Sequence, residues 1–290
     1  MFDIYQTVTD KILTALESGN IPWIKPWKDS HGYGDAGLPY NGSNGRNYNG
    51  INLLLLGMGG YSSNAWVSFK QAAAMGGSVK KGEKGSMVVF WSRKVKKDKD
   101  GNEKATFLLR YYTVFNIEQC EGIAPEKVKR PKVGTIANTT AHGVAIQHDA
   151  NLSYGGNRAF YSPATDSIQM PPQEAFKSIQ EHDATLFHEL THWTSHKARC
   201  DRDLSAGRFG NAEYAFEELV AELGSAFLCA RVGIEQTTQA SAYIQGWIKV
   251  LKDDKTAIYK ASKLAQQAAD YLLPYNDDDS NSDAESTDED

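Results

Sequence analysis

Apolar residues recur at helical spacing in several stretches of this chain. Near the start, Ile4, Val8, Ile12 and Leu16 fall four residues apart, and Gly19 supplies a stop signal. This pattern predicts an opening helix. The same reasoning predicts further helices at residues 51–57, 66–75, about 184–193 and about 214–231.

Two other stretches show the short extended runs and turn residues of β-hairpins. Strands are predicted at about 86–95 and 106–116, joined by a Lys-rich connection with Asp-Gly at its tip. A second hairpin is predicted at residues 159–170, with its turn between Pro163 and Ser167. Together these elements predict an α+β fold.

The fourth predicted helix carries the motif H-E-x-x-H at residues 188–192. On a helix, residues four apart share a face, so the imidazoles of His188 and His192 can reach one metal ion. Glu189 then lies beside that ion, where it can take a proton from a bound water. This is the zincin arrangement, with two His ligands, a Glu base and a Zn²⁺-activated hydroxide. Apolar neighbours such as Phe187 and Leu190 favour it over a helix that merely carries two surface histidines.

Zinc requires a third protein ligand. A metzincin would place a third His six residues beyond His192, but position 198 is Ala. The fifth predicted helix supplies better candidates in Glu218 and Glu222, which are four residues apart and can face the metal helix. We assign Glu218 as the ligand and Glu222 as the hydrogen-bond partner of a ligand His, with the reverse order left open. Glu217 is expected to point elsewhere, as a surface or capping residue.

Overall composition is that of an ordinary globular protein, with 41% hydrophobic and 23% charged residues in a chain of 290. That length is sufficient for two domains. No apolar run approaches a membrane helix in length, and no signal peptide is visible. The three Cys residues are odd in number and widely spaced, as is typical of reduced thiols. We therefore expect a cytoplasmic protein with no membrane partner.

Charge is distributed unevenly along the chain. Residues 1–132 hold 19 Lys+Arg against 12 Asp+Glu, whereas residues 133–290 hold 12 against 24. The last segment, 276–290, contains eight acids and no bases, and it is expected to be a disordered acidic tail. This tail either competes for a basic surface or only aids solubility.

The basic N-terminal half also interleaves aromatic side chains with Lys, Arg and Asn. This mixture is typical of single-stranded nucleic-acid binding, because bases stack on rings while basic groups follow the phosphates. The candidate DNA-binding residues are Trp23, Trp27, Tyr40, Arg46, Tyr48, Lys80, Lys81, Lys84, Arg93 and Lys94. Five other aromatic residues are expected in the core: Trp66, Phe69, Phe90, Trp91 and Phe115. For Trp23 and Trp27, packing under the first helix is an equal alternative.

Several of these segments, in this order, carry a family resemblance. The runs N-G-R-x-Y-x-G-I-N, W-V-S-F-K-Q-A and V-F-N-I-E-Q-C-E-G are followed by A-F-Y-S-P-A-T-D, F-H-E-L-T-H-W and Y-A-F-E-E-L-V-A-E-L. From Ile4 to about Gly233 the chain resembles ArdC-type antirestriction proteins, which are carried on plasmids, phages and other mobile elements and are associated with conjugation. The resemblance implies an N-terminal domain that binds single-stranded DNA, a zincin-like metallopeptidase domain, and protection of incoming DNA from host restriction.

We therefore expect two domains: a DNA-binding domain at 1–122 and a metal domain at 133–275, joined by a linker at 123–132. The expected cofactor is one Zn²⁺ per chain, with another divalent metal as an alternative, in a gluzincin-like metalloendopeptidase site. The expected partners are single-stranded DNA and a protein substrate, for which a host restriction enzyme is a candidate. Two alternatives remain: an intracellular zinc metallopeptidase whose N-terminal domain recognises proteins, and a DNA-binding protein whose metal site is structural.

Overall fold

The structure is a computed structural model that describes residues 2–24, 37–97, 103–131, 139–202, 211–234 and 243–274. For residues 93–97 and 103–107 it describes the backbone alone. The helices are α1 (Ile4–Glu17), α2 (Ile51–Gly57), α3 (Phe69–Ala74), α4 (Ala141–Gln147), α5 (Ile179–Trp193), α6 (Ala212–Val232), α7 (Ile244–Asp253) and α8 (Ala257–Leu272). The strands are β1 (Tyr40–Asn41), β2 (Ala65–Val67), β3 (Ser78–Val79), β4 (Ser86–Lys97), β5 (Glu103–Asn116), β6 (Cys120–Glu121), β7 (Asn151–Tyr154), β8 (Phe160–Ser162) and β9 (Ser167–Met170).

The N-terminal part is built on a sheet of order β1-β2-β5-β4, with the small β3–β6 pair beside it. The predicted hairpin forms the long β4–β5 pair, which is antiparallel from Ser86 opposite Val114 to Lys97 opposite Glu103. Helix α1 buries the apolar residues that predicted it, since Val8, Ile12 and Leu16 are all in the core. The predicted α2 is also present.

The helix predicted at 66–75 is only partly correct. Trp66 lies in strand β2, and the helix α3 begins at Phe69. The reason is Ser68, which is an N-cap: its hydroxyl accepts a hydrogen bond from the backbone N–H of Gln71, while the Gln71 side chain accepts one from Ser68 N–H. This capping box fixes where the helix starts.

The C-terminal part combines a three-stranded sheet of order β7-β9-β8 with helices α4, α5 and α6. Strand β8 is antiparallel to β9, as the predicted hairpin requires, while β7 is parallel to β9. Helix α6 ends at Gly233, whose φ of 76° is the left-handed conformation that glycine favours at a helix end. The architecture is therefore α+β with two parts, as predicted.

Helices α7 and α8 pack against both parts. Thr9 on α1 donates a hydrogen bond to the carbonyl of Lys255 at 2.8 Å, and Gly50 N–H donates to the Gln266 side chain at 3.0 Å. One continuous cluster of buried apolar residues consequently runs from α1 to α8. Among the helices that the structure describes, none combines the length and apolar character needed to cross a membrane.

The described part of the predicted linker, 123–131, lies against the N-terminal part. Lys129 N–H donates to the Gly42 carbonyl at 2.8 Å. The predicted limits of the two domains remain predictions, and the predicted acidic tail at 276–290 lies outside the described residues.

Candidate metal centre

Helix α5 carries the H-E-x-x-H motif and is fixed at its start by Ser178, whose hydroxyl accepts a hydrogen bond from Glu181 N–H at 3.1 Å. Leu186, Phe187 and Leu190 are fully buried on its apolar side. That burial sets the rotation of the helix about its axis, and the two motif histidines consequently face α6.

Helix α6 is capped by Asn211, whose side chain accepts from Tyr214 N–H at 2.8 Å. It approaches α5 closely at Gly224, where an added Cβ would lie 2.5 Å from Cγ2 of Thr191. Only glycine allows the two backbones to come this near without a shift. The close approach brings the carboxylates of α6 to the imidazoles of α5.

Three side chains converge between these helices. The carboxylate of Glu218 lies with one oxygen 3.6 Å from His188 Nε2 and the other 3.5 Å from His192 Nε2. All the potential ligand atoms lie within 4.8 Å of one another. Ligands at about 2.0–2.2 Å from a tetrahedral zinc ion are separated by about 3.3–3.6 Å. The two His–Glu218 separations match this spacing, so the donor set fits a divalent ion.

Each histidine presents its other ring nitrogen to a second carboxylate. Glu222 lies 3.5 Å from His188 Nδ1, and Glu217 lies 3.2 Å from His192 Nδ1. A carboxylate at Nδ1 orients the ring and directs Nε2 toward a metal. The position of Glu222 matches its predicted role as a partner of a ligand His, although the choice between Glu218 and Glu222 as ligand remains a prediction.

The expectation for Glu217 was wrong. Instead of pointing to the surface, its carboxylate bridges His192 and the buried guanidinium of Arg202, which donates to it at 2.9 and 3.3 Å. Arg202 also donates to the carbonyl of Thr191 and to the hydroxyl of Thr194. Sequence reasoning missed this contact because Arg202 lies in an irregular segment between the helices, and no periodicity signals its position.

The electrostatics of the metal-free site follow from these contacts. Burial alone would lower the pKa of His192, but the carboxylates of Glu217 and Glu218 outweigh it and raise that pKa to about 9. The pKa of His188 is likewise raised, by Glu218 and Glu222 against the effect of burial. Burial would raise the pKa of Glu218, yet the two histidines hold it far below its usual range.

Glu189, the predicted base, is buried beside the histidines, and its charge contributes to the raised pKa of His188. Tyr214, one turn before Glu218 on α6, was not predicted. Burial raises the pKa of its phenol, and hydrogen bonding with Tyr243 and Glu218 raises it further. The spacing of four residues between Tyr214 and Glu218 is the signal that could have identified it.

The β8–β9 hairpin is attached to the end of α5. Arg199 pairs with Asp166 in the turn of the hairpin, and its guanidinium lies 3.7 Å from the centre of the Trp193 ring. Tyr161 on β8 donates to the same Asp166 at 2.9 Å. Strand β8, at the edge of its sheet, is thereby held near the metal helix.

The predicted DNA-binding residues differ in their exposure to solvent. Arg46, Lys80, Lys81 and Lys84 are exposed, as a role in phosphate contact requires. Trp27 lies outside the described residues, and so do the side chains of Arg93 and Lys94.

Two aromatic candidates are buried, and a third is partly buried against another ring. Tyr40 and Tyr48 are buried in the core, because the Gly/Asn-rich loop folds back on the first strand. Trp23 packs on Trp247 of α7, with ring centres 5.5 Å apart and its indole N–H buried. Trp23 is therefore packed against another ring, although this contact is with α7 and not with the first helix, as the alternative had it.

Of the five aromatic residues expected in the core, only some are buried. Trp66 is buried and Phe115 half-buried, but Phe69, Phe90 and Trp91 are exposed. The expectation was wrong for Phe69, Phe90 and Trp91. The last two follow the buried Val88 and Val89 on β4, the edge strand of the sheet, at the point where burial of the strand ends.

Comparison with known families matches the two parts separately. Residues 2–115 match the N-terminal domain of anti-restriction factor ArdC, and residues 139–264 match a zincin-like metallopeptidase family. Among curated proteins, the chain is 37% identical over 294 residues to a DNA primase TraC of Escherichia coli, which covers 93% of this chain and 20% of the primase. A second TraC primase is 34% identical, with 27% of its length covered, so the chain spans about a quarter or less of these relatives.

Two relatives are matched over nearly their full length. The y4eC protein of Sinorhizobium fredii is 36% identical over 286 residues, with 93% of this chain and 91% of that protein covered. Crystal structures of the antirestriction ArdC protein from plasmid R388, one metal-free and one Mn(II)-bound, are 42% and 41% identical, with TM-scores of 0.78 and 0.76. Each covers 93% of this chain and 97% of the plasmid protein. This chain therefore belongs to the ArdC family of antirestriction proteins, with an ArdC-type N-terminal domain followed by a zincin-like domain.

Proposed function

We propose that this protein binds single-stranded DNA in the cytoplasm of a recipient cell and protects it from host restriction, using a zinc-type site to hydrolyse a protein substrate. The observation that carries the metal part is the convergence of His188, His192 and Glu218 between α5 and α6. The Mn(II)-bound R388 relative supports a divalent ion, and the histidine-rich donor set favours zinc.

The arrangement of the site supports hydrolysis of a peptide bond. A divalent ion bound there would supply a Lewis acid and activate a water at neutral pH. Glu189, buried next to the histidines, would take the proton from that water and return it to the leaving amine. Strand β8, at one end of the β7-β9-β8 order, offers backbone groups with which an extended peptide could pair.

The DNA part of the proposal is supported by family membership and by exposed charge. The ArdC-type domain contains Lys80, Lys81 and Lys84, all exposed in the segment that leads into β4. A restriction enzyme bound to the same DNA would be brought close to the zincin-like domain, because tethering raises local concentration. Proteolysis is therefore expected to be weak in free solution and stimulated by DNA.

The test is an assay of DNA protection in recipient cells that express wild-type protein, Glu189→Gln protein, or a variant deficient in DNA binding. We expect both variants to lose protection. Full protection by a Glu189→Gln protein that is folded, loaded with metal and still binds DNA would contradict the hydrolytic role. Full protection by a variant that no longer binds DNA would contradict the DNA role.

A further inference from the structure

The middle of the β4–β5 hairpin exposes large apolar side chains on a two-stranded ribbon. Soluble proteins usually cover such side chains. Here four aromatic rings and one leucine remain 42–50% exposed: Phe90, Trp91, Tyr111, Tyr112 and Leu108. We call the ribbon formed by residues 90–92 and 108–112 the arm. An exposed cluster of this kind marks an interaction site rather than scattered surface residues.

The strand register sorts these rings onto two faces, since directly paired residues point to the same side of a sheet. Phe90 pairs with Arg110, and its ring lies 5.7 Å from that of Tyr112, so these three residues form one face. On the other face lie Trp91 and Tyr111, which are paired with Leu109 and Val89.

The second face is extended by α1 and by Phe2, which precedes it. The ring of Phe2 lies 5.1 Å from that of Tyr111, and the ring of Tyr5 lies 6.1 Å from Trp91. Both faces thus present at least two aromatic rings within stacking distance of each other.

The base of the arm is rigid. Val88, Val89 and Val114 are buried in the core. Asn52 of α2 holds the outer strand through paired 2.8 Å hydrogen bonds, donating to the carbonyl of Val89 and accepting from its N–H. The exposed rings are therefore carried on an anchored ribbon, which lowers the entropy lost on binding.

The positive charge around the arm indicates which kind of partner the arm binds. Residues 80–104, which include β4 and the connection to β5, contain nine Lys or Arg against four acids. Arg110 is exposed beside Phe90 on the arm itself. Aromatic rings can stack on exposed bases, and the excess positive charge can pair with phosphates. Both features together indicate a single-stranded nucleic acid as the partner. A duplex keeps its bases stacked internally and offers these rings nothing to stack on.

We propose that the arm is the site that holds single-stranded DNA, with bases stacked on Phe90 and Tyr112 on one face and on Trp91 and Tyr111 on the other. The proposal rests on the DNA-binding part of the proposed function and gives it a location. It also replaces Tyr40 and Tyr48, which are buried, by Phe90 and Trp91, which were expected in the core, and by Tyr111 and Tyr112, for which the sequence made no prediction.

The test uses the full-length protein and a fluorescent oligo-dT, with binding measured by anisotropy over a range of salt concentrations. Trp91→Ala, Tyr111→Ala and Phe90→Ala should each weaken binding roughly 5- to 150-fold. The dependence on salt should be nearly unchanged, because no phosphate contact is lost. Phe69→Ala is the matched control: Phe69 is 62% exposed in the same part of the chain but lies on α3, away from the arm.

Conservative variants separate stacking from folding. Tyr111→Phe and Trp91→Phe should bind almost as wild type, and Trp91→Phe should reduce the quenching of intrinsic fluorescence by unlabelled oligo-dT. Wild-type affinity in the Ala variants, with unchanged melting temperature, would overturn the arm as the site. If wild-type protein itself does not bind, the proposed function fails instead. If Trp91→Ala changes the oligomeric state but not the DNA affinity, the arm is an interface between copies and the proposal is wrong.

Discussion

Glu217 provides the sharpest quantitative prediction for the metal site. Its carboxylate accepts from His192 Nδ1 at 3.2 Å and from the buried Arg202 at 2.9 and 3.3 Å. Burial would raise the pKa of Glu217, but His192 and Arg202 hold it below its usual range, so the group is ionised at neutral pH. Glu217→Gln keeps the shape of the side chain and removes the charge that orients the imidazole.

The expected loss has two components. Removing a carboxylate partner from a ligand His lowers metal affinity by about 10- to 100-fold, or about 1.4–2.7 kcal/mol. Separately, Arg202 is left buried without its anionic partner, which costs up to about 3–5 kcal/mol of folding stability. The double variant Glu217→Gln/Arg202→Gln should recover much of the stability while the loss of metal affinity remains.

The assay is competition for Zn²⁺ against a chromophoric chelator, with the melting temperature of the metal-free protein measured in parallel. Glu213→Gln is the matched control, since Glu213 lies on the same helix but is exposed to solvent. Unchanged metal affinity in folded Glu217→Gln protein would refute the positioning role and make the contact purely structural.

Three further predictions concern pH, packing and charge. Because the pKa of His192 is raised to about 9 and that of His188 is raised as well, the metal-free site carries protons on both ligand histidines at pH 7, and a metal must displace them. Apparent Zn²⁺ affinity should therefore rise with pH by up to about tenfold per pH unit for each proton displaced. The stability that the His192 proton gives the metal-free protein is complete below pH 6.5 and is lost as pH rises through 9; a flat affinity profile would contradict this. Gly224→Ala should lower stability by about 1–3 kcal/mol in a denaturant titration, because its Cβ would force α5 away from α6 at Thr191, and an unchanged midpoint would show that the helices can shift freely. Deleting residues 276–290, with eight acids and no bases, should strengthen binding to single-stranded DNA at low salt, and unchanged affinity would show that the tail only solubilises.

Sequence patterns predicted the local structure of the metal centre well, because that site depends on helical periodicity. The spacing of His188 and His192 on one helix, and of Glu218 and Glu222 on another, leads directly to a shared face. Gly224 and Arg202 could not be predicted in the same way. Their importance depends on how closely two helices approach and on where an irregular segment returns, and both are properties of tertiary packing.

The DNA-binding surface was harder to predict, because composition does not reveal burial. Tyr48 and Trp91 both lie in aromatic, basic surroundings in the sequence, yet one is in the core and the other is half exposed. The difference arises from position: Trp91 follows the buried Val88 and Val89 on the edge strand β4, whereas the loop that pairs back on Tyr40 buries Tyr48. An alternation of apolar residues in a strand predicts two faces, but it does not predict that both remain uncovered.

The central claim is that His188, His192 and Glu218 hold one divalent ion between α5 and α6. The most direct measurement is the metal content of purified protein by elemental analysis, for the wild type and for His188→Ala, Glu218→Ala and Glu222→Ala. The account predicts about one zinc ion per wild-type chain, loss of metal in His188→Ala, and a larger loss from Glu218→Ala than from Glu222→Ala. A His188→Ala protein that retains its full metal content would contradict the account.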